Sequence, residues 1–296
     1  MTIPAHFREE QKNATIKACK EAGFNVLGTL NEPEAAALAY GLEKKIKKPI
    51  KKGETSRNSE DEKNILVFDL GGGTFDVSVL EVKNMKFKDK GKFGNPHFGG
   101  EDFDNALVDY CINKFYEMKK IKIDKSEPEI MKRLKMSCEN AKKLLSIKES
   151  TQIELNDLKD NEDLSLEITR DLFEEICGFL FDKCISPIYD LLNNIGLCPS
   201  EIDDIVLIGG STKTPKIKKM IRCIFDKEPY TNINPDEAVA SGAAILAAKL
   251  SGSENKDIEN ILIKDITPFT LGIAVFDPDV SPFIGFIQFL SNLEKI

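Results

Sequence analysis

The chain has 296 residues, 41% of them hydrophobic and 30% charged, with a formal net charge of -8; this is room for two lobes of about 100–200 residues each, and the acidic balance argues against non-specific nucleic-acid binding as the main task. Seven cysteines without CxxC or Cys/His clustering, and only His6 and His97, argue against a zinc site and read as reduced, intracellular thiols. No apolar run reaches the roughly 18 residues that would span a membrane, and the opening residues lack the basic start and apolar core of a signal peptide.

In chain order, Glu9 to Gly23 predicts a helix, with Ala14, Ile16, Ala18, Cys19 and Ala22 as apolar positions and Gly23 as its stop. Phe24 to Leu30 reads as a strand. Asn31-Glu32-Pro33-Glu34 opens the next helix, Asn31 as its N-cap and Pro33 in its first turn. Ala35 to Gly41 continues it with small side chains and ends on the glycine. Such a face suits either a tightly packed core helix or a hinge. Lys44 to Lys63 carries seven basic residues between Lys44 and Arg57, with Pro49 and Gly53, and reads as an exposed loop or inter-lobe linker.

The most informative stretch is Ile65 to Val82. Ile65-Leu66-Val67-Phe68 is a short, β-branched and aromatic run, hence a buried strand. Asp69 sits at its end, Gly71-Gly72-Gly73 and Thr74 follow, and Phe75, Val77 and Val79 alternate with polar residues as a second strand. Three glycines exceed what a two-residue hairpin turn needs, and they permit positive φ and successive exposed N–H groups. A nest of amides flanked by Asp69 and Asp76 suits a phosphate with a divalent cation beside it. It is not a Walker loop, since G-x-x-x-x-G-K-[ST] is absent and a strand follows the glycines.

Met85 to Phe93 predicts a third strand. Helices are predicted over Asp102 to Lys119, Glu127 to Ser146 and, capped by Thr169, Arg170 to Leu192, the last with Leu172, Phe173, Ile176, Phe179, Leu180 and Ile188 on one face. Two short strands lie around Ile153–Leu155 and Leu164–Ile168. Ile205 to Ile208 is a second buried strand that runs into Gly209-Gly210-Ser211-Thr212, and Pro215 opens the helix Lys216 to Phe225. Strand, glycine turn and helix N-terminus together accept a phosphate or the edge of a nucleotide. Asn234-Pro235-Asp236-Glu237 caps the Ala-rich helix Ala238 to Leu250, a counterpart of Ala35 to Gly41, and the two are expected to cross closely. Ser251 to Asp257 reads as a linker, Ile266 to Val275 alternates as a strand, and Pro282 to Ile296 is an apolar tail.

These motifs resemble the ATPase domain of the 70-kDa heat-shock chaperones, within the actin/hexokinase superfamily. DLGGGTFDVS at Asp69–Ser78, NEPEAAALAYGL at Asn31–Leu42, HFGGEDFDN at His97–Asn105, SCENAKKLLS at Ser137–Ser146, GGSTKTP at Gly209–Pro215, NPDEAVASGAA at Asn234–Ala244 and KDITPFTLGI at Lys264–Ile273 carry the likeness. It implies an α/β, actin/hexokinase-like ATPase fold, with ribonuclease-H-like sheets and helices. The first lobe is incomplete and the second complete, followed by a linker and a β fragment. By this resemblance residues 1–62 are a remnant of the first lobe with a basic loop at 44–63. Residues 63–233 are the second lobe, with 98–181 its outer subdomain, and 234–250 the connecting helix back to the first. Residues 251–264 are an interdomain linker, and 265–296 begin a truncated substrate-binding β-domain.

The resemblance further implies ATP or ADP with Mg²⁺. Gly71, Gly72, Gly73 and Thr74 would hold the phosphates, and Asp69, Asp76 and Glu32 would surround Mg²⁺ and its waters. Asp69, Glu32 and Thr74 would be catalytic, with Asp69 orienting the attacking water. Glu139, Lys142, Lys143 and Ser146 would line one side of adenosine, and Gly210, Ser211, Lys213 and Asp236 the other. The two glycine turns are expected to face each other across a cleft, gripping opposite ends of one nucleotide. Lys143 and Lys213 stand where the family usually has Arg, which predicts poorer stacking on adenine. Glu34 replaces a small residue and is expected to lie next to the metal carboxylates. No residue matches the family's first phosphate loop or catalytic Lys, which predicts weak binding and poor hydrolysis. J-domain co-chaperones and nucleotide-exchange factors are the implied partners, with unfolded clients only if a substrate domain is supplied, and no nucleic acid or membrane. The implied location is cytoplasmic, with a nuclear one open. The alternatives are a non-catalytic nucleotide-binding or co-chaperone-binding decoy, and a sugar or acetate kinase of the same superfamily.

Overall fold

A computed structural model describes residues 1–47, 62–265, 274–275 and 285–286. In order the elements are β1 (Thr2–Ile3), α1 (Glu9–Glu21), β2 (Leu30–Asn31), α2 (Glu32–Lys47), β3 (Lys63–Leu70), β4 (Phe75–Lys83), β5 (Lys86–Asn95), α3 (Gly100–Lys119) and α4 (Pro128–Leu145). There follow β6 (Ser150–Lys159), β7 (Glu162–Thr169), α5 (Arg170–Ile176), α6 (Gly178–Ile195), β8 (Asp204–Ile208), α7 (Pro215–Phe225), α8 (Ala238–Leu250), α9 (Lys256–Glu259) and β9 (Leu262–Lys264), with β10 (Ala274–Val275) and β11 (Gly285–Phe286) paired antiparallel.

One mixed sheet, ordered β8-β3-β4-β5-β9, organises the molecule. Because strand side chains alternate between faces, β3 sends Leu66, Phe68 and Leu70 into one core and Ile65 and Val67 into another. Strand β8 divides in the same way: Ile205 and Leu207 go to the first core, Val206 and Ile208 to the second. Burial on both faces explains why both strands read as unbroken apolar runs. The larger core is closed by α3, α4, α5, α6, α7 and the β6–β7 hairpin; the smaller is closed by α2 and α8. The two Ala-rich helices do cross closely: a Cβ at Gly242 would collide with the backbone of Ala35.

Several elements differ from the sequence reading. Within Phe24 to Leu30 only Leu30 is a strand residue, and Phe24 and Leu27 are 69% and 49% exposed. Among the described residues no strand lies beside Phe24 or Leu27, since β2 meets β1 only through Leu30 and Asn31. Helix α2 does not stop at Gly41 but runs to Lys47, taking in the start of the expected basic loop, whose residues 48–61 lie outside the described residues. Gly41 serves packing instead, because a Cβ there would stand 2.7 Å from the Phe87 ring. Asn31 occupies the cap position, but its Nδ2 donates to the Glu34 carboxylate at 2.7 Å. Thr169 does cap a helix, accepting from the Leu172 N–H at 3.1 Å. That helix is nevertheless broken at Cys177, and Phe179 beyond the break is 59% exposed rather than on the apolar face. The β6–β7 strands are longer than expected. Strand β9, in the segment read as linker, pairs in parallel with β5 as the fifth strand of the sheet. The strand expected over 266–275 and the apolar tail fall almost wholly outside the described residues. Among the described residues no helix is long and apolar enough to cross a membrane.

Candidate functional site

Strands β3 and β8 run parallel with Asp69 opposite Ile208, so the glycine turns that follow them leave the sheet at one edge. They touch rather than face each other across a gap, which corrects the expected arrangement. Gly209 adopts φ 81°, and a Cβ there would strike the Leu70 carbonyl. The Ser211 hydroxyl donates to the Gly71 carbonyl at 2.9 Å. A third segment joins them at the first turn of α3, where the Gly100 and Glu101 N–H groups donate to the Gly71 and Gly72 carbonyls at 2.9 and 2.8 Å. Gly99 and Gly100 have no side chain because this approach leaves no room for one.

Within the β3–β4 turn the Gly71 N–H donates to the Thr74 carbonyl at 3.0 Å. The amides of Gly72, Gly73 and Thr74 find no acceptor among the described residues. A Cβ at Gly72 or Gly73 would meet nothing within 4 Å. The turn therefore carries consecutive donors without an acceptor among the described residues, on two exposed glycines and Thr74, an arrangement that suits an anion. None of the three glycines is left-handed. Their absence of side chains serves access and close approach, not the positive φ expected from the sequence.

Two carboxylates flank this turn: Asp69 and Asp76 are directly paired across β3 and β4. Asp69 is 6% exposed, and its carboxyl is pushed up to about 8 by burial, then by the charges of Glu32 and Asp76. Glu32, the first residue of α2, is likewise raised by burial and then by Asp76. Asp76 meets the His6 ring nitrogen Nδ1 at 3.2 Å. Three crowded carboxylates whose charges oppose one another suit a hard, oxygen-seeking cation. Among the described residues the carboxylate trio close enough to ligate one ion together is a different one, Glu34, Asp89 and Asp265. Asp69, Asp76 and Glu32 do not form such a trio, so a cation among them would have to be held in part through water.

Glu34 does not join that group. It turns into the second acidic cluster, where burial and then Asp265 push it up to about 8. An ammonium fills this cluster: Lys92, with its side chain 2% exposed, lies 2.5 Å from Asp265 and 3.3 Å from Asp89.

A cleft of about 880 Å³ opens beside the joined turns. Helix α4 supplies one wall with Glu139, Lys142 and Lys143, joined by Ser146 at its C-cap. The Gly210–Lys213 turn and Asp236 supply the other, with Leu207, Tyr230 and Ile233 as apolar lining. The proposed adenosine residues are therefore brought together. Gly72 reaches this cleft, whereas Asp69, Asp76, Glu32, Gly71, Gly73 and Thr74 do not line it. Lys143 pairs with Glu139 at 2.6 Å and Lys213 with Asp236 at 2.5 Å, both on exposed side chains. The Lys142 Nζ turns inward, to the Gly100 carbonyl at 2.7 Å and Asp104 at 2.8 Å.

Sequence reasoning missed Asp104, Asp89 and Lys92. Signals existed for the acids: Asp104 falls on the apolar stripe of α3 beside Phe103, Leu107 and Val108, and Asp89 falls in the inward register of β5 between Phe87 and Gly91. A carboxylate at an inward position requires a partner.

A mixed sheet with helices on both faces, and glycine turns joined at one edge above a cleft, is the actin/hexokinase-like ATPase fold. The family model described as "Hsp70 protein" matches residues 1–287, and the chain belongs to this family. It is 42% identical over 285 residues to a "Heat shock 70 kDa protein" of Penicillium citrinum, a match that covers 96% of this chain and 54% of that protein. It is 43% identical over 286 residues to "Heat shock 70 kDa protein 2" of Paracoccidioides lutzii, covering 96% and 42% of the two. To "Heat shock cognate 70 kDa protein 3" of Dictyostelium discoideum it is 42% identical over 274 residues, covering 92% and 42%. The chain thus spans about half, or less, of the length of these relatives.

Proposed function

We propose that this chain is the nucleotide-binding part of a 70-kDa heat-shock-type chaperone, which couples ATP binding and hydrolysis to the folding of client proteins. The observation that carries the reading is the run of amides at Gly72, Gly73 and Thr74 that find no acceptor among the described residues, beside the Asp69–Asp76 pair and reaching the cleft at Gly72. On this reading the Gly71–Thr74 turn and the Thr74 hydroxyl bind the β- and γ-phosphates, and adenosine lies between Glu139–Ser146 and Gly210–Lys213 with Asp236. Mg²⁺ would be held through its water shell by Asp69, Asp76 and Glu32 and would supply charge that offsets that of the phosphates. The Asp69 carboxylate orients the attacking water. Positioning and charge stabilisation dominate phosphoryl transfer, and these residues bring one phosphate turn and one carboxylate cluster to it. Assayed by themselves, they are proposed to bind nucleotide better than they turn it over. Stimulation by J-domain co-chaperones, exchange-factor binding, a role in the stress response and a cytoplasmic site of action extend the same reading.

A thermal-shift experiment tests it. Saturating MgADP raises the melting temperature, because a ligand at a hundredfold excess over its Kd stabilises by about 2.7 kcal/mol. Gly72→Val abolishes the rise without unfolding the protein, since its side chain enters space that the protein leaves empty. An equal rise in the variant would refute the phosphate site.

A further inference from the structure

We infer that Asp104 is a positioning residue of the nucleotide cleft: it holds the Lys142 ammonium so that α4, the adenosine wall, is fastened to the first turn of α3, which itself holds the phosphate turn. The inference rests on the nucleotide reading above and adds to it a coupling between the two halves of the ligand.

The path is continuous. Asp104 is 8% exposed and lines the cleft. Lys142 Nζ lies 2.8 Å from it and 2.7 Å from the Gly100 carbonyl. The peptide N–H groups of Gly100 and Glu101 hold the carbonyls of Gly71 and Gly72. The Lys142 side chain is only 12% exposed, and an ammonium so desolvated keeps its place only with a carboxylate beside it. Glu139, on the same wall, is taken up by Lys143. Without Asp104 the cation loses its charged partner, and the link from α4 to the segment carrying the phosphate turn is left to the single bond from Lys142 to the Gly100 carbonyl. The turn itself keeps its bonds to α3 and to Ser211. Loss of Asp104 therefore falls on adenosine recognition and on its cooperation with phosphate, not on phosphate binding alone.

The test is calorimetric titration of the wild type, Asp104→Asn, Lys142→Met and the double variant with MgADP, adenosine and magnesium pyrophosphate. Asp104→Asn is expected to weaken MgADP and adenosine about tenfold, the effect of removing the negative charge from a buried charge-assisted hydrogen bond. Magnesium pyrophosphate should change by less than about twofold, as for a site outside the coupled set. In the Lys142→Met background, Asp104→Asn should weaken MgADP by no more than about twofold further, because it acts through Lys142. Full additivity of the two losses, or unchanged MgADP binding in Asp104→Asn beside a binding wild type, would overturn the inference while leaving the nucleotide site intact. A folded wild type that binds no MgADP would overturn both. If Asp104→Asn does not fold, Asp104→Glu replaces it in the same cycle: a loss confined to adenosine and MgADP that vanishes in the Lys142→Met background supports the bridge, and an equal loss of pyrophosphate refutes it.

Discussion

Asp89 shows how far single residues here depart from their solution chemistry. It is 3% exposed, and its carboxyl is pushed up to about 6, by burial against the opposing pull of Lys92. In the unfolded chain it releases its proton near the ordinary 3.8, in the folded one near 6. Between those values the native state binds more protons than the unfolded state, so stability falls as pH rises. The contribution is whole below the unfolded value and is lost as pH passes through the folded one. Urea unfolding followed from pH 4 to pH 7 should show this decline, on the order of 1–3 kcal/mol, flattened in Asp89→Asn. An unaltered pH slope in the variant would contradict it. At this scale the sequence was only partly legible. The Asp69–Gly73 run announced its chemistry because carboxylates and glycines are rare at the end of a buried strand. The partnership of Asp89, Lys92, Glu34 and Asp265 did not, because it joins residues more than 170 positions apart. Glu34 was assigned to the wrong carboxylate group for the same reason.

Among elements, the α2–α8 crossing is the contact most exposed to a small change. Gly242 packs against the Ala35 backbone, and backbone cannot swing aside as a flexible side chain can. Gly242→Ala should therefore destabilise the protein by about 1–3 kcal/mol, the usual cost of overpacking. Chemical denaturation reads this directly, and a change below about 0.5 kcal/mol, the scale of an ordinary surface substitution, would show that the helices separate freely. The elements legible in the sequence were those whose pattern and environment agree: β3 and β8 as apolar runs, the Thr169 cap, Pro215 at a helix start, and the two small-residue helices. Elsewhere composition misled. Phe24 and Leu27 are strand-forming residues without a strand to pair with. The helix after Thr169 carries a continuous apolar period through Cys177, yet its backbone breaks there. Gly41 looked like a stop and is a packing notch beside Phe87.

Among the described residues a five-stranded sheet serves two cores, and the candidate site lies where the strands shared by both cores end. Alternation along β3 and β8 commits each strand to both layers, so their glycine turns cannot move independently of either. Ser211 and Gly100 both donate to the Gly71 carbonyl of the β3–β4 turn, and Glu101 donates to that of Gly72. Fold and site are coupled through these bonds, which join the turns after β3 and β8 to the start of α3. The most direct measurement of the central claim is a calorimetric titration of the folded chain with ADP, first with excess Mg²⁺ and then with the metal chelated. Burial and mutual repulsion at Asp69, Glu32 and Asp76 predict a single site that weakens at least tenfold, about 1.4 kcal/mol, when the cation is removed. Absence of binding heat, or an affinity indifferent to the metal, would contradict the account.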